Sequence, residues 1–166
     1  EEVQKAVIGK QDCIEKVMMA ILSSGHILLE DIPGVGKTTM ALAFSRVLNL
    51  KEKRLTFTPD VLPADLTGFT MYRKETNKFY YQPGALMCNL FLGDEINRTS
   101  PKTQSALLEV MEEQKVTVDG VTHDVPQPFI VIATQNPIEQ LGTYKLPEAQ
   151  MDRFLIKTSI GYPGHD

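Results

Sequence analysis

Cysteine is scarce in this chain of 166 residues. Cys13 and Cys88 stand far apart with no second pair, which excludes a disulfide framework or a cysteine zinc site and predicts two reduced, buried thiols. The three histidines, His26, His123 and His165, are equally scattered, so no metal-ligand cluster is expected; His26 is predicted to begin a strand and His123 to sit in a hairpin. No apolar run approaches the ~18 residues of a membrane span, and there is no basic-apolar-small leader, so the chain is expected to be cytoplasmic. No low-complexity tract or solenoid-like period occurs. Positive charge is not in excess: the net charge of −4 argues against indiscriminate nucleic-acid binding. What remains is globular, with 42% hydrophobic and 23% charged residues, and long enough for one domain to bury a core without staples.

What is present is organised around Ile27-Leu28-Leu29-Glu30-Asp31-Ile32-Pro33-Gly34-Val35-Gly36-Lys37-Thr38-Thr39-Met40, a short apolar run that breaks into a glycine-bearing loop and then a helix pattern. It reads as a phosphate-binding loop. Gly34 and Gly36 let backbone N–H groups turn inward around a triphosphate, Lys37 can reach the β- and γ-phosphates, and the Thr38 hydroxyl can ligate Mg2+. The full pattern has glycine where this chain has Asp31, so the motif is one residue short. The helix that follows, with Met40, Phe44, Val47 and Leu48 at helical spacing, adds its positive end.

Earlier in the chain, Ile14, Val17, Met18, Ile21 and Leu22 predict a helix from Gln11 to about Ser24. Val7-Ile8-Gly9-Lys10 before it is either a bland lead-in or an apolar ledge for an adenine ring. Arg54 to Thr58 predicts a strand, followed by a loop through Pro59-Asp60 and Pro63. Phe69 to Tyr72 and Lys78 to Tyr81 flank a polar turn as a hairpin, whose aromatics either form a partner surface or pack back on the domain.

Asn89-Leu90-Phe91-Leu92-Gly93-Asp94-Glu95 predicts a buried strand tipped by two carboxylates, placed where open parallel sheets bind ligands. Asp94 would hold Mg2+ through a water, and Glu95 would orient and polarise an attacking water. Two solvated acids at a strand end would be the bland alternative; the phosphate loop makes it a poor one. Ser100-Pro101 predicts a helix start, with Ala106, Leu107, Val110 and Met111 as its apolar face. Lys115 to Val125 is predicted as a hairpin about Asp119-Gly120, with Val118 facing Val121 and Thr117 facing Thr122. Phe129 to Thr134 is an apolar strand stopping at Gln135-Asn136-Pro137, and Phe154 to Ile160 a last strand. Strands interleaved with helices predict a parallel five-stranded α/β sandwich with helices on both faces and two inserted β-hairpins.

Together, Asp31 to Thr38, Asp94-Glu95-Ile96-Asn97-Arg98, Pro101 to Glu109, Ala133-Thr134-Gln135-Asn136-Pro137, Gly142-Thr143-Tyr144 and Leu146 to Phe154 resemble the MoxR family of AAA+ ATPases over nearly the whole chain. The resemblance implies a P-loop NTPase three-layer sandwich that binds ATP/ADP and Mg2+ and hydrolyses ATP to ADP and phosphate. By the same resemblance Lys37, Glu95, Asn136 and Arg153 are catalytic, Asn136 as the first sensor and Arg153 as an arginine finger offered to the neighbouring subunit. Val7, Ile8, Gly9, Pro33, Gly34, Val35, Gly36, Lys37, Thr38, Thr39 and Asp94 would bind nucleotide, with Thr38 and Asp94 on the metal.

The family is further expected to self-associate into a ring, a hexamer, and to remodel client proteins; nucleic acid and membrane are not expected partners. Gly93 stands where the family often has alanine, and Lys145 where proline is usual. By the resemblance, residues 1–166 would correspond to the core subdomain without the helical lid, and are expected to turn over weakly alone. The other readings are a magnesium-chelatase-like or nucleic-acid-directed motor, a nucleotide-dependent module without turnover, and a small-molecule kinase, which Asn136 and Arg153 would not serve.

Overall fold

The computed structural model describes residues 19, 25–30, 43, 45–135, 144 and 156–159, with 29, 30 and 156–159 by backbone alone. Two apolar runs form the centre: Leu90–Asp94 (β5) and Ile130–Gln135 (β8) pair in parallel, and Leu90, Phe91, Leu92 and Ile130 to Thr134 are all fully buried. Strands apolar on both faces need cover on both, as parallel sheets provide. Ile27–Glu30 (β1) pairs with the far side of β8, Glu52–Thr56 (β2) with the near side of β5, and Ile156–Ser159 (β9) beyond β1. The order β2-β5-β8-β1-β9 is parallel throughout, the five-stranded sheet that the sequence predicts.

Ladder pairing sets the bounds of β2. Expected at 54–58, it runs from Glu52 opposite Leu90 to Thr56 opposite Asp94. Phe57 leaves the ladder: its N–H donates to the Asp94 carbonyl at 2.8 Å and its ring, fully buried, meets Phe91 edge-on at 6.3 Å. Pro63–Thr67, expected as loop, is a short helix (α1). Pro63 occupies its first turn, the Asp65 carboxylate accepts the Leu62 N–H at 2.8 Å, and buried Leu66 anchors it.

Helix α2, Pro101–Glu113, starts where Ser100 accepts the Thr103 N–H at 3.3 Å and stops at Gln114, left-handed with φ 57°. Its buried face is Thr103, Gln104, Leu107, Leu108, Val110 and Met111. Of the helices predicted before and after the phosphate loop, Met19, residue 43 and residues 45–47 are described as helical. Val47, expected on the apolar face, is half exposed, because the helix ends there in a turn through left-handed Asn49, with the Leu50 N–H bonded to the Ser45 carbonyl at 2.8 Å.

His26 leads into β1. Its Nδ1 accepts the Val131 N–H at 3.0 Å and its Nε2 lies 3.2 Å from the Met111 carbonyl, so a neutral ring donating from Nε2 ties β8 to α2. Burial lowers its pKa, against the bond to the Met111 carbonyl, which raises it. Cys88 is the buried thiol that was expected, its pKa pushed up to about 11 mainly by burial; Cys13 and His165 lie outside the described residues.

Both predicted hairpins form, Gly68–Arg73 (β3) with Lys78–Pro83 (β4) and Lys115–Val118 (β6) with Val121–Asp124 (β7). Asp119 and Gly120 have φ of 49° and 78°, the left-handed pair of a tight hairpin turn. Val118 faces Val121, and Thr117 faces Thr122 with hydroxyls 3.2 Å apart. The aromatics of the first hairpin divide. Tyr81 packs back, stacked on His123 at 3.8 Å with its hydroxyl on the Thr67 carbonyl. Phe79, Tyr72, Phe69 and Met71 stay exposed, Phe79 by 74%. Phe79, Tyr80, Tyr81, Val121 and His123 help line an open cleft of about 460 Å³ between the hairpins.

Candidate active site

β1 ends at Glu30 opposite Gln135 of β8, and β5 ends at Asp94 opposite Thr56 of β2, so the acids stand on the edge from which residues 31 and 136 continue. Among the described residues the next strand after β1 is β2, at one edge, while β9 adds on β1's other side. Such a reversal of direction is where open α/β sheets place ligands. Val7 to Gly9, Pro33 to Thr39, Asn136 and Arg153 lie outside the described residues. Asp94 and Glu95 lie within them.

Asp94 is gripped from two sides. Its Oδ1 accepts the Thr134 hydroxyl at 3.1 Å, and its Oδ2 accepts Arg54 Nε at 3.2 Å and Nη2 at 3.0 Å. Thr134, fully buried on β8, also accepts the Glu95 N–H at 3.0 Å, so one hydroxyl fixes both the side chain of the first acid and the backbone of the second. Glu95 is left-handed, φ 58° and ψ 50°, which turns the chain sharply off the strand into the 3-10 turn Ile96–Arg98. Its carboxylate is about a quarter exposed, with Arg98 Nη1 at 3.5 Å.

Gln104, on the buried face of α2, holds that turn. Its Nε2 donates to the Ile96 carbonyl at 3.0 Å and the Tyr144 carbonyl at 3.1 Å, with the Thr99 carbonyl at 3.4 Å; the Tyr144 N–H donates to the Asn97 carbonyl. The backbone of Tyr144, from the Gly142-Thr143-Tyr144 motif, is thereby docked on the loop that follows the acids. Gly93 gives the Phe57 ring its place, since a Cβ there would lie 2.7 Å from Phe57 Cε2 and 3.1 Å from Phe91 Cε1.

Arg54, Thr134 and Gln104 were not anticipated. A hydroxyl ending an apolar run and a glutamine on an apolar helix face were signals that could have been read. Arg54 offered none, because its partner is set by the β2–β5 pairing. Asp94, a hard oxygen donor only 14% exposed at the strand's end, suits Mg2+ held directly or through water.

This topology, with its acid-tipped central strand, is that of a P-loop NTPase α/β sandwich. Residues 26–156 match the family model described as "ATPase family associated with various cellular activities (AAA)". Chaperone MoxR1 of Mycobacterium tuberculosis is 48% identical over 98% of this chain and 43% of its own. The uncharacterized protein YeaC of Bacillus subtilis is 55% identical over 98% of this chain and 51% of its own. A crystal structure of a protein from Cytophaga hutchinsonii, named as a candidate ATPase, superposes with a TM-score of 0.89 at 44% identity, covering 99% of this chain and 50% of the other. The chain belongs to the MoxR family of AAA+ ATPases. It spans about half the length of these relatives.

Proposed function

We propose that residues 1–166 are the ATP-hydrolysing core subdomain of a ring-forming remodeller of client proteins, hexameric and cytoplasmic in its full-length form. The observation that carries this reading is the pair Asp94 and Glu95 at the carboxyl end of β5, with Thr134 bonded to both. Gly34, Gly36, Lys37 and Thr38 would cradle the phosphates, Val7 to Gly9 would face the adenine, and Thr38 and Asp94 would hold Mg2+, with the flanking Pro33, Val35 and Thr39 shaping the loop. A cation held by these two residues would supply charge screening at the β- and γ-phosphates. Glu95 accepts a proton from the attacking water as its oxygen bonds to the γ-phosphorus; the bond to the β–γ bridging oxygen breaks, and ADP departs with that electron pair. Asn136 orients the water or the γ-phosphate. Arg153 reaches the site of the neighbouring subunit. A relative named as a chaperone, together with the exposed aromatics of the first hairpin, supports client proteins as the partners.

The test uses the full-length protein. Lys37→Ala should lose ATP binding, whereas Glu95→Gln should keep ATP and lose hydrolysis. Arg153→Ala should bind and assemble normally yet lose about 10³ to 10⁵ in rate, roughly 4 to 7 kcal/mol of transition-state stabilisation. Mixed rings of Glu95→Gln and Arg153→Ala subunits regain complete interfaces, so their activity should exceed that of either variant. A mixture that stays inactive while subunits exchange rejects the trans role, and parental turnover by Glu95→Gln rejects the catalytic acid.

A further inference from the structure

The two contacts on Asp94 differ in how readily they can yield. The Thr134 hydroxyl is fully buried and also serves the Glu95 N–H. Arg54 instead approaches from the edge strand β2, two residues before the Thr56 that stands opposite Asp94 and therefore on the same face as it. Two guanidinium nitrogens converge on one oxygen, Oδ2, and the Arg54 side chain is 47% exposed against 14% for Asp94. Water can therefore receive the guanidinium if it lets go, whereas Asp94 remains anchored through Oδ1.

We infer that Arg54 is a positioning residue that competes with a divalent cation for Asp94 Oδ2, and so sets the cation concentration at which the site loads. The inference rests on the reading of Asp94 as the cation-side acid. Both claimants need the lone pairs of the same oxygen, and they repel one another, so the Arg54–Asp94 pair and direct cation contact at Oδ2 oppose each other. The pair also keeps Asp94 in one orientation when no cation is at hand.

The test is Mn2+ binding to the full-length protein with saturating ADP, read as loss of the free-Mn2+ electron paramagnetic resonance signal. Arg54→Ala should tighten Mn2+ about three- to tenfold, and Arg54→Gln should do the same. Arg54→Lys, which keeps the charge, should stay near the parent. Unchanged or weaker Mn2+ binding in both Arg54→Ala and Arg54→Gln, with Asp94→Asn clearly weakened, overturns the competition and leaves the Asp94 assignment standing. Parental Mn2+ binding by Asp94→Asn overturns that assignment and the inference with it.

Discussion

Leu90-Phe91-Leu92 of β5 and Phe79-Tyr80-Tyr81 of β4 are comparably apolar, yet the first three side chains are fully buried and Phe79 is 74% exposed. The difference lies in their neighbours. β5 has a hydrogen-bonded strand on each side, and its Phe91 shares a core cluster with Leu107, Leu108 and Met111 of α2; β4 has β3 on one side only and an open face. Apolar content therefore marks which segments can be strands, and position in the sheet decides which are core. The sheet strands support the acids, while the hairpin presents its apolar side chains outward, as a contact surface would.

Truncation should separate the two regions most widely. Phe91→Ala should destabilise the chain by about 3 to 5 kcal/mol, because it removes a fully buried ring and the Phe57 contact with it. A cost under about 1 kcal/mol by urea denaturation would mean that β5 is not central. Next in size is Gly93→Ala, at about 1 to 3 kcal/mol, since the new methyl meets a Phe57 ring that is itself fully buried. The cost should shrink in a Phe57→Leu background; an equal cost there would place the strain elsewhere.

A smaller effect is expected from pH. Burial keeps His26 neutral in the folded chain, while the unfolded chain takes up a proton near the ordinary value of about 6.5. Its contribution is full above that value and declines as pH falls from about 6.5 toward the lowered folded pKa, by at most about 1.4 kcal/mol per pH unit. Urea midpoints measured between neutral and mildly acidic pH should show a decline that His26→Gln flattens. The smallest effect belongs to the hairpin: Phe79→Ser should change stability by less than about 0.5 kcal/mol. A loss as large as that of Phe91→Ala would show that the exposed hairpin is part of the fold's support.

Much of the sheet was legible because buried parallel strands are short apolar runs with polar ends. β5 and β8 were expected within a residue of where they lie. The Asp119-Gly120 hairpin was legible down to its facing pairs, because two left-handed residues force one register. β2 was misplaced by two residues, since Phe57 and Thr58 have strand propensity while the ladder ends opposite Asp94. α1 was missed although Pro63 and Asp65 mark its first turn; five residues show too little helical periodicity to be seen.

Of the site, the sequence alone determined the candidate residues and their order along the chain: a glycine-lysine-threonine segment after one apolar run, two acids after another, an asparagine after a third. Local patterns suffice for that, because each motif directly follows a short apolar run in the sequence. Only the tertiary structure decided that Arg54 and Thr134 meet Asp94 from opposite sides, that one buried hydroxyl holds both acids, and that Gln104 clamps the turn behind them. Most of these contacts join residues about 40 positions apart, and their existence depends on the strand order β2-β5-β8, which puts three separate segments side by side at one edge of the sheet.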